Sequence, residues 1–196
     1  MSYSQGGEEA VLLDVLDVDG RFLDLGAADG VTFSNTAALT DRGWSGVSVE
    51  CSPRYLVALQ QRARTLVVAA AVMPSPAPAG LRRFADSPDL VGTLDPANEA
   101  KWERATKFQA LWLPVVTLEA VLAVHPGPYQ CVSVDLEGQS RAVAGDLRRH
   151  CASADWWPRA VVIEHDGAAA ELIEDWSPHG YVCAYRDPNN IILVTR

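Results

Sequence analysis

Short apolar segments recur along the chain, and each is long enough for one buried β-strand. They are nearly continuous in Val, Ile and Leu instead of alternating with polar residues, which is typical of strands covered on both faces. The pattern predicts five such strands, at residues 21–26, 46–50, 65–72, 130–135 and 160–164.

Segments between these strands are compatible with helices. Ser34 can cap the first helix, and Pro53 suits the first turn of the second. Because strands and helices alternate, we expect βαβ crossovers and a parallel sheet. The predicted helices lie at residues 34–42, 53–63, 140–149 and 168–176.

The C-terminal part of the chain has a different pattern. Segments 181–185 and 191–195 flank a five-residue loop, 186–190. Two short apolar segments joined in this way predict an antiparallel hairpin. The expected fold is therefore a three-layer α/β domain with a seven-stranded, mostly parallel sheet and a C-terminal antiparallel hairpin.

Residues 73–112 interrupt the alternation. This segment begins with a Pro-rich stretch and continues as a polar stretch that contains Trp102, Phe108 and Trp112. Loops of this length are uncommon inside compact domains and often serve as lids or binding loops. The alternatives are a disordered insertion and a partly ordered cap over a binding site.

The composition fits a folded domain with an acidic excess. The 196 residues are 48% hydrophobic, which excludes a wholly disordered chain and suits a single domain. Asp and Glu number 25 against 16 Lys and Arg, for a formal net charge of −9. Such a charge repels phosphate backbones, and the basic pairs at 82–83 and 148–149 are isolated, so we expect no nucleic-acid partner.

The sequence also bears on location. It has no uninterrupted apolar run of about 18 residues, so no membrane-spanning segment is expected. Residues 1–9 lack the basic start of a signal peptide. The four cysteines show no Cys-x-x-Cys spacing, which favours free thiols in a reducing compartment over a structural zinc site. A cytoplasmic protein without a membrane partner is predicted.

The turn after the first predicted strand, residues 24–30, has the sequence Asp-Leu-Gly-Ala-Ala-Asp-Gly. Glycine lets the backbone turn tightly and approach a ligand closely, at the point where the next helix presents free N–H groups. A dinucleotide fingerprint would require glycine at three positions that are occupied by Gly26, Ala28 and Val31. A nicotinamide-dependent oxidoreductase is therefore disfavoured.

Acidic residues accompany this turn. Asp24 and Asp29 would repel a pyrophosphate but suit a ligand with an ammonium and a sulfonium, namely S-adenosylmethionine. Glu50 ends the second predicted strand, 20 residues beyond Gly30, where a carboxylate can accept both ribose hydroxyls. These positions together predict an S-adenosylmethionine site; the alternative is that Asp24 and Glu50 only cap helices.

Ten short motifs, spread over most of the chain, carry a resemblance to a known family. They lie at residues 4–9, 22–27, 34–36, 43–47, 49–53, 116–119, 132–138, 162–164, 180–181 and 190–191. In these motifs the chain resembles the FkbM family of S-adenosylmethionine-dependent methyltransferases, and only 73–112 is poorly matched. Cys51 departs from the pattern, because the family commonly has proline after the second-strand acid.

The resemblance implies a Rossmann-like class I methyltransferase fold and an enzyme that methylates a hydroxyl. It implies that Asp24, Gly26 and Gly30 line the methionine end of the cofactor, Glu50 the ribose and Ala70 the adenine. The full set of residues expected around S-adenosylmethionine is Gln5, Asp24, Gly26, Ala27, Asp29, Gly30, Asn35, Glu50, Cys51, Ala70 and Asp135.

Polar residues also end the fourth and fifth predicted strands, where the reacting end of the cofactor should lie. Methyl transfer needs an aligned nucleophile and often a base for its proton. Asp135 and Glu137 are candidate catalytic residues, and His165, which titrates nearest neutrality, is a candidate base. The alternatives are a helix-capping role for Glu137 and a structural role for His165.

An alternative role for the same strand ends is to bind a hard divalent ion. Asp135, Glu164 and Asp166 are oxygen ligands that converge from adjacent strand ends, which suits Mg²⁺. Macrocin-type O-methyltransferases are similar at this position and use magnesium in that way.

The sequence therefore predicts an enzyme that methylates a hydroxyl of a small molecule, such as a sugar or a polyhydroxylated natural product. The alternatives are an amine, carboxylate or peptide acceptor, and a binding protein that retains the fold without turnover. Because 196 residues leave little beyond the core fold, residues 73–112 must supply most of the acceptor pocket, unless a second subunit of a homodimer contributes.

Overall fold

A computed structural model describes residues 2–78 and 80–195 of the chain. The strands are β1 (Arg21–Leu25), β2 (Ser45–Glu50), β3 (Thr65–Ala69), β4 (Ala71–Met73), β5 (Leu81–Asp86), β6 (Gln109–Thr117), β7 (Cys131–Val134), β8 (Ala160–Glu164), β9 (Tyr181–Arg186) and β10 (Asn190–Thr195). The helices are α1 (Glu8–Val15), α2 (Ala37–Asp41), α3 (Pro53–Leu59), α4 (Pro96–Trp102), α5 (Leu118–Val124), α6 (Ser140–Ala154) and α7 (Ala169–Trp176).

Seven strands form one sheet in the order β3-β2-β1-β7-β8-β10-β9. The first five of these are parallel, and β10 runs antiparallel to both β8 and β9. The predicted seven-stranded, mostly parallel sheet with a C-terminal antiparallel hairpin is confirmed. The chain reverses its direction of travel across the sheet at β1, and open α/β sheets bind ligands beyond the carboxyl ends of strands at such a point.

Apolar side chains cover both faces of this sheet. From β1, Leu23 and Leu25 join a buried cluster that contains residues of α5, α6 and α7. Phe22 points to the other face, where it packs in a second cluster with Trp44 and with Leu12 of α1. Helices on both faces explain the continuous apolar strands and leave the ends of the strands as the open edge of the sheet.

The two predicted helix starts have different outcomes. Ser34 accepts the backbone N–H of Ala37 at 3.1 Å but lies two residues before Thr36, the N-cap residue of α2, whereas Pro53 is the first residue of α3 as predicted. Both helices are shorter than the predicted ranges 34–42 and 53–63, because α2 begins at Ala37 and ends at Asp41, and α3 ends at Leu59. None of the helices in the described residues is long and apolar enough to span a membrane.

The prediction of one strand over residues 65–72 is wrong. The chain leaves the main sheet at Ala70, and β4 pairs with β6 in a second sheet, where Ala71 lies opposite Val115. An uninterrupted apolar run does not reveal this change, because the new partner strand lies far along the chain.

The described part of the 73–112 segment has regular secondary structure. Here β5 pairs antiparallel with β6, which gives a three-stranded sheet in the order β4-β6-β5. Arg83 of β5 donates two hydrogen bonds, of 2.6 and 2.7 Å, to the Glu99 carboxylate of α4 and thereby ties the helix to the sheet. Trp112 is 65% exposed, so its side chain is not part of a cap.

Candidate functional site

A cavity of about 700 Å³ lies at the carboxyl ends of the parallel strands, and residues of the 73–112 segment also line it. A cavity of this size suits one or two small ligands. Of the site residues predicted from the sequence, Asp29, Gly30 and His165 do not line this cavity. The other predicted site residues do: Gln5, Asp24, Gly26, Ala27, Asn35, Glu50, Cys51, Ala70, Asp135, Glu137, Glu164 and Asp166.

Gly26 makes the turn after β1 possible. Its φ is +85°, a left-handed conformation that favours glycine, and a Cβ atom there would overlap the carbonyl oxygen of Asp135. Its N–H donates to the carbonyl of Val49 at 2.9 Å. The turn is therefore pressed between the ends of β2 and β7, which leaves room above it for a ligand.

Glu50 connects the end of β2 to this turn. Its Oε2 accepts the N–H of Ala28 at 2.8 Å, and its Oε1 accepts the N–H groups of Cys51 and Ser52 at 2.8 and 2.6 Å. Burial raises the pKa of Glu50, and these three hydrogen bonds oppose the rise. A carboxylate has about four acceptor positions, so one remains for a hydroxyl of a ligand in the cavity.

Asp24 is buried at the floor of the cavity. It accepts a hydrogen bond of 2.5 Å from the Thr36 hydroxyl, and its Oδ2 lies 3.7 Å from Nη1 of Arg62. Burial raises the pKa of Asp24, and Arg62 is the main opposing influence. Asp24 thus both lines the cavity and holds the residue that precedes α2.

Asp29 and Gly30 shape the turn without facing the cavity. Asp29 accepts the N–H groups of Val31 and Thr32 at 2.8 and 2.7 Å. Gly30 has a φ of +75°, and a Cβ atom there would meet the Leu59 side chain at 2.7 Å. Direct cofactor contacts, as predicted for these two residues, are not favoured by this placement.

The other residues expected around the cofactor are held by polar contacts or burial. Gln5 accepts a hydrogen bond from Asn189 at 3.3 Å, and Asn35 donates one to Ser133 at 3.3 Å. Burial, followed by the charge of Glu50, raises the pKa of the Cys51 thiol, which therefore stays neutral.

Asp86 is a cavity residue that the sequence did not indicate. It lies at the end of β5, is 3% exposed, and accepts hydrogen bonds from Ser52 at 2.5 Å and Arg54 at 3.0 Å. It thereby brings a carboxylate to the Glu50 side of the cavity, where the sequence offered no polar partner for an adenine amino group. No local motif marks Asp86, because its position depends on the second sheet.

Three carboxyl groups meet at the ends of β7 and β8. Asp135, Glu137 and Glu164 each offer an oxygen within 4.8 Å of the others. Glu164 Oε2 accepts the N–H of Glu137 at 3.1 Å and the hydroxyl of Ser140 at 2.9 Å. These hydrogen bonds fix the loop after β7 against the end of β8.

The environment of this cluster favours protonated carboxyls. Burial is the largest cause in each case, and the charge of Glu164 adds to the rise for Asp135 and Glu137. The pKa of Asp135 is raised well above its usual value, that of Glu137 is raised to about 7, and that of Glu164 is also raised. The cluster therefore binds protons at neutral pH and can exchange them with a ligand.

Of the predicted magnesium ligands, Asp135 and Glu164 come together, whereas Asp166 does not. Glu137, in place of Asp166, joins Asp135 and Glu164. Asp166 instead lies 3.9 Å from the ammonium of Lys101. Glu137 and Glu164 keep free acceptor positions beside their hydrogen bonds from the protein, so the cluster of Asp135, Glu137 and Glu164 could hold a cation, whereas the predicted ligand set that includes Asp166 does not come together.

His165 is buried, and both of its ring nitrogens are engaged. Nδ1 accepts the N–H of Gly167 at 3.0 Å, so Nε2 carries the proton and donates to the carbonyl of Asp187 at 3.0 Å. These bonds tie the turn after β8 to the hairpin loop. The prediction that His165 is a base is therefore not supported, because no free nitrogen faces the cavity.

Residues of the 73–112 segment hold Glu137 in place. Asn98 of α4 donates to Glu137 Oε2 at 2.9 Å, and the Thr93 hydroxyl donates to the Glu137 carbonyl at 2.6 Å. The next residue, Gly138, has a φ of +95°, and a Cβ atom there would lie 3.0 Å from Asp95. The segment therefore packs directly on the acidic end of the cavity. No sequence motif predicts this contact.

Solved structures with a similar fold include methyltransferases. Methyltransferase FkbM from Methylobacillus flagellatus KT has a TM-score of 0.56 at 12% identity, with 92% of this chain and 45% of that chain covered. The N-terminal domain of human METTL16 has a TM-score of 0.50 at 11% identity, with 96% and 66% covered. A TehB-like S-adenosylmethionine-dependent methyltransferase from Corynebacterium glutamicum has a TM-score of 0.49 at 9% identity, with 98% and 89% covered.

The similarities to the FkbM and METTL16 structures show the fold. The chain has the Rossmann-like α/β fold of methyltransferases and spans less than half the length of the FkbM structure. No family model matches the sequence, and no curated protein matches it.

Proposed function

We propose that the protein is an S-adenosylmethionine-dependent methyltransferase that acts on a hydroxyl of a small molecule. The observation that carries this proposal is the joint position of Gly26 and Glu50 at one edge of the cavity, beside the acidic cluster at the ends of β7 and β8. The sequence resemblance to the FkbM family supports the same function, as does the fold.

Three groups of residues would hold the cofactor. The turn at Gly26 would let the cofactor approach the backbone closely. Glu50 retains an acceptor position for a ribose hydroxyl, and Asp86 offers a carboxylate to an adenine amino group. Asp24 and the acidic cluster provide carboxyl oxygens that accept hydrogen bonds from an ammonium and, when ionised, attract both the ammonium and the sulfonium. The cavity residues thus match the chemistry of S-adenosylmethionine along its whole length.

When bound, the cofactor would supply an electrophilic methyl group. The cavity residues would orient the acceptor hydroxyl in line with the bond to be broken, which lowers the entropic part of the barrier. As the oxygen–carbon bond forms, Glu137 accepts the hydroxyl proton, since its raised pKa lies near neutrality and matches a general base. The products would be a methyl ether, S-adenosylhomocysteine and a proton released to solvent by Glu137.

The size and charge of the cavity favour a small acceptor. About 700 Å³ must contain both the cofactor and the acceptor group. The many carboxylates on its walls would repel the phosphates of a nucleic acid. Both features agree with the expectation from the net charge and disfavour RNA as the substrate.

Calorimetry with S-adenosylhomocysteine tests the cofactor assignment. We expect saturable binding by the wild-type protein, and weaker binding by at least about tenfold in Glu50→Gln, which removes one charged acceptor while keeping the side-chain shape. Asp14→Asn, which removes an exposed charge outside the cavity, is the matched control and should bind normally. Absence of binding by folded wild-type protein, checked by circular dichroism, would overturn the proposal.

Methyl transfer is tested separately. Wild-type protein is incubated with S-adenosylmethionine and a panel of hydroxyl, amine and carboxylate acceptors, and products are detected by the mass of one added methyl group. Transfer to a hydroxyl that fails in Glu137→Gln supports both the reaction and the base. Cofactor binding without transfer to any acceptor would favour a binding protein that retains the fold.

A further inference from the structure

Strained backbone is concentrated around the cavity. Among the described residues, seven other than glycine have a positive φ, and five of these line the cavity. A left-handed backbone is costly for a residue with a side chain and is retained chiefly at functional sites. The five residues are Ala28, Phe33, Leu90, Glu137 and Asp166.

Phe33 combines this backbone with an exposed aromatic side chain. Its φ is +56°, an outlier for a bulky residue, and the residue is 54% exposed. Leu90, the other large apolar residue of the five, is half-buried, and its N–H donates to the Tyr55 hydroxyl at 3.2 Å. Binding pockets are lined predominantly by apolar and aromatic side chains, so the exposed ring of Phe33 indicates a ligand with apolar surface.

Contacts of the N-terminal segment connect Phe33 to the acceptor side of the cavity, which is formed by the ends of β7, β8 and β10 with α4. Phe33 forms an isolated parallel bridge with Ser4, and the next residue, Gln5, accepts a hydrogen bond from Asn189 at 3.3 Å. Asn189 adjoins the first residue of β10, which pairs with the last residue of β8. Phe33 therefore lies toward the end of β8, where the acidic cluster is located.

Other apolar side chains line the cavity on the same side. The segment that bonds to Glu137 through Asn98 supplies several of them, and the loop after β7 and the hairpin loop supply the rest. A ligand whose hydroxyl lies at Glu137 would therefore contact apolar side chains with the remainder of its surface. These lining residues are Leu94, Ala97, Trp102, Leu136 and Pro188.

We infer that Phe33 is a specificity-determining residue, and that the acceptor hydroxyl belongs to a small molecule with an apolar ring or chain, which packs on the Phe33 ring while its hydroxyl meets Glu137. This inference rests on the proposed methyltransferase function. Apolar surface buried against the ring stabilises such a ligand. A polyhydroxylated ligand loses hydrogen bonds to water at the same surface, so sugars are disfavoured as acceptors.

A series of three ring alcohols tests the acceptor class. The probes are 2-naphthol, cyclohexanol and myo-inositol, which are uncharged at neutral pH and differ in apolar surface. Binding to protein saturated with S-adenosylhomocysteine is followed by the amide NMR shifts of residues 4, 33 and 137. We expect 2-naphthol to bind at least about tenfold more tightly than myo-inositol, with cyclohexanol between them. Equal or tighter binding of myo-inositol, or no response to 2-naphthol at its solubility limit, would overturn the inference.

Variants of the loop before α2 locate the effect. Phe33→Ala should weaken 2-naphthol about fivefold, whereas Phe33→Leu, which keeps an apolar side chain, should stay within about twofold of wild type. Val31→Ala is the matched control, because Val31 is 55% exposed on the same loop and does not line the cavity. It should bind 2-naphthol normally.

A purely structural role for Phe33 predicts a different result. Because more than half of the residue is exposed, Phe33→Ala should keep its Tm within about 2 °C and its affinity for S-adenosylhomocysteine. Loss of stability or of S-adenosylhomocysteine binding in Phe33→Ala would assign the ring to the fold or to the cofactor and would overturn the inference. Unchanged binding of 2-naphthol in Phe33→Ala, or an equal loss in Val31→Ala, would also overturn it.

These outcomes are separable from failure of the proposed function. If S-adenosylhomocysteine does not bind, the methyltransferase proposal fails before any acceptor is tested. If it binds and the probes show no preference for apolar surface, the methyltransferase proposal stands and only the assignment of Phe33 and the acceptor class fails.

Discussion

Glu137 combines a strained backbone with a buried carboxyl. Its φ of +45° is uncommon for a residue with a side chain, and strain of this kind is concentrated at functional sites. Its pKa is raised to about 7, chiefly by burial and by the charge of Glu164. In the unfolded chain the carboxyl returns to its ordinary lower pKa, so the folded state holds this proton more tightly.

The sign of the pH dependence follows from this difference. Between the unfolded and folded pKa values of Glu137, the folded protein binds more protons, so stability falls as pH rises from about 4.5 to about 7. In Glu137→Gln, the loss of unfolding free energy over this pH range should be smaller by on the order of 1–2 kcal/mol. Urea unfolding at several pH values measures it.

Asp135 and Glu164 contribute in the same direction, so part of the dependence should persist in Glu137→Gln. Asp14→Asn, an exposed substitution, is the control and should leave the wild-type slope unchanged. A slope identical in wild type and Glu137→Gln would show that this carboxyl titrates normally.

Single residues differed in how far the sequence revealed their roles. Glu50 and Gly26 were identifiable because a strand end and a turn fix both their position and their chemistry. His165 was not, since the sequence cannot give the direction of an imidazole, and Gly167 and Asp187 occupy both of its nitrogens. The role of a side chain at a strand end therefore depends on the backbone groups that surround it.

Helix α4 is held on the acidic cluster by few contacts. Asn98→Ala removes the hydrogen bond to Glu137 Oε2 and leaves a half-buried carboxyl without that partner, at a cost of about 1–3 kcal/mol. We expect the amides of residues 93–102 to exchange hydrogen at least about tenfold faster, while those of β7 and β8 keep their protection. Hydrogen-exchange mass spectrometry resolves these segments.

Glu99→Ala, on the same helix, is the matched control. It removes the ion pair with Arg83, in which both side chains are partly exposed, so we expect a smaller effect than that of Asn98→Ala. Faster exchange in Glu99→Ala than in Asn98→Ala would show that the helix is anchored to β5 instead of to the site.

At the scale of elements, the sequence predicted the main sheet and missed the smaller one. Continuous apolar strands buried by helices on both faces leave a clear local pattern, and so does a proline in the first turn of a helix, such as Pro53. The second sheet depends on pairing across a long separation in the chain, as for Ala71 with Val115, and its strands β5 and β6 are partly exposed. Asp86 and Asn98 depend on that pairing, so neither could be assigned to the cavity from the sequence.

At the scale of the whole molecule, the cavity has two ends along the carboxyl edge of the main sheet, and different elements form each end. The cofactor side consists of the turn at Gly26, the end of β2 at Glu50 and the adjoining Asp86, whereas the acceptor side consists of the ends of β7, β8 and β10 with α4. Because the parallel strands are rigid and buried on both faces, a change on one side should affect the other only weakly.

Ligand-induced stabilisation tests this division. S-adenosylhomocysteine at about 100 times its Kd should stabilise the fold by about 2.7 kcal/mol and raise Tm by about 5–10 °C. Asn98→Ala should start from a lower Tm and keep the full increment, because its contacts lie on the acceptor side. Glu50→Gln should lose about half of the increment at the same ligand concentration, because a tenfold weaker affinity leaves about 1.4 kcal/mol. Scanning calorimetry measures both, and an equal loss in the two variants would show that α4 takes part in binding the cofactor.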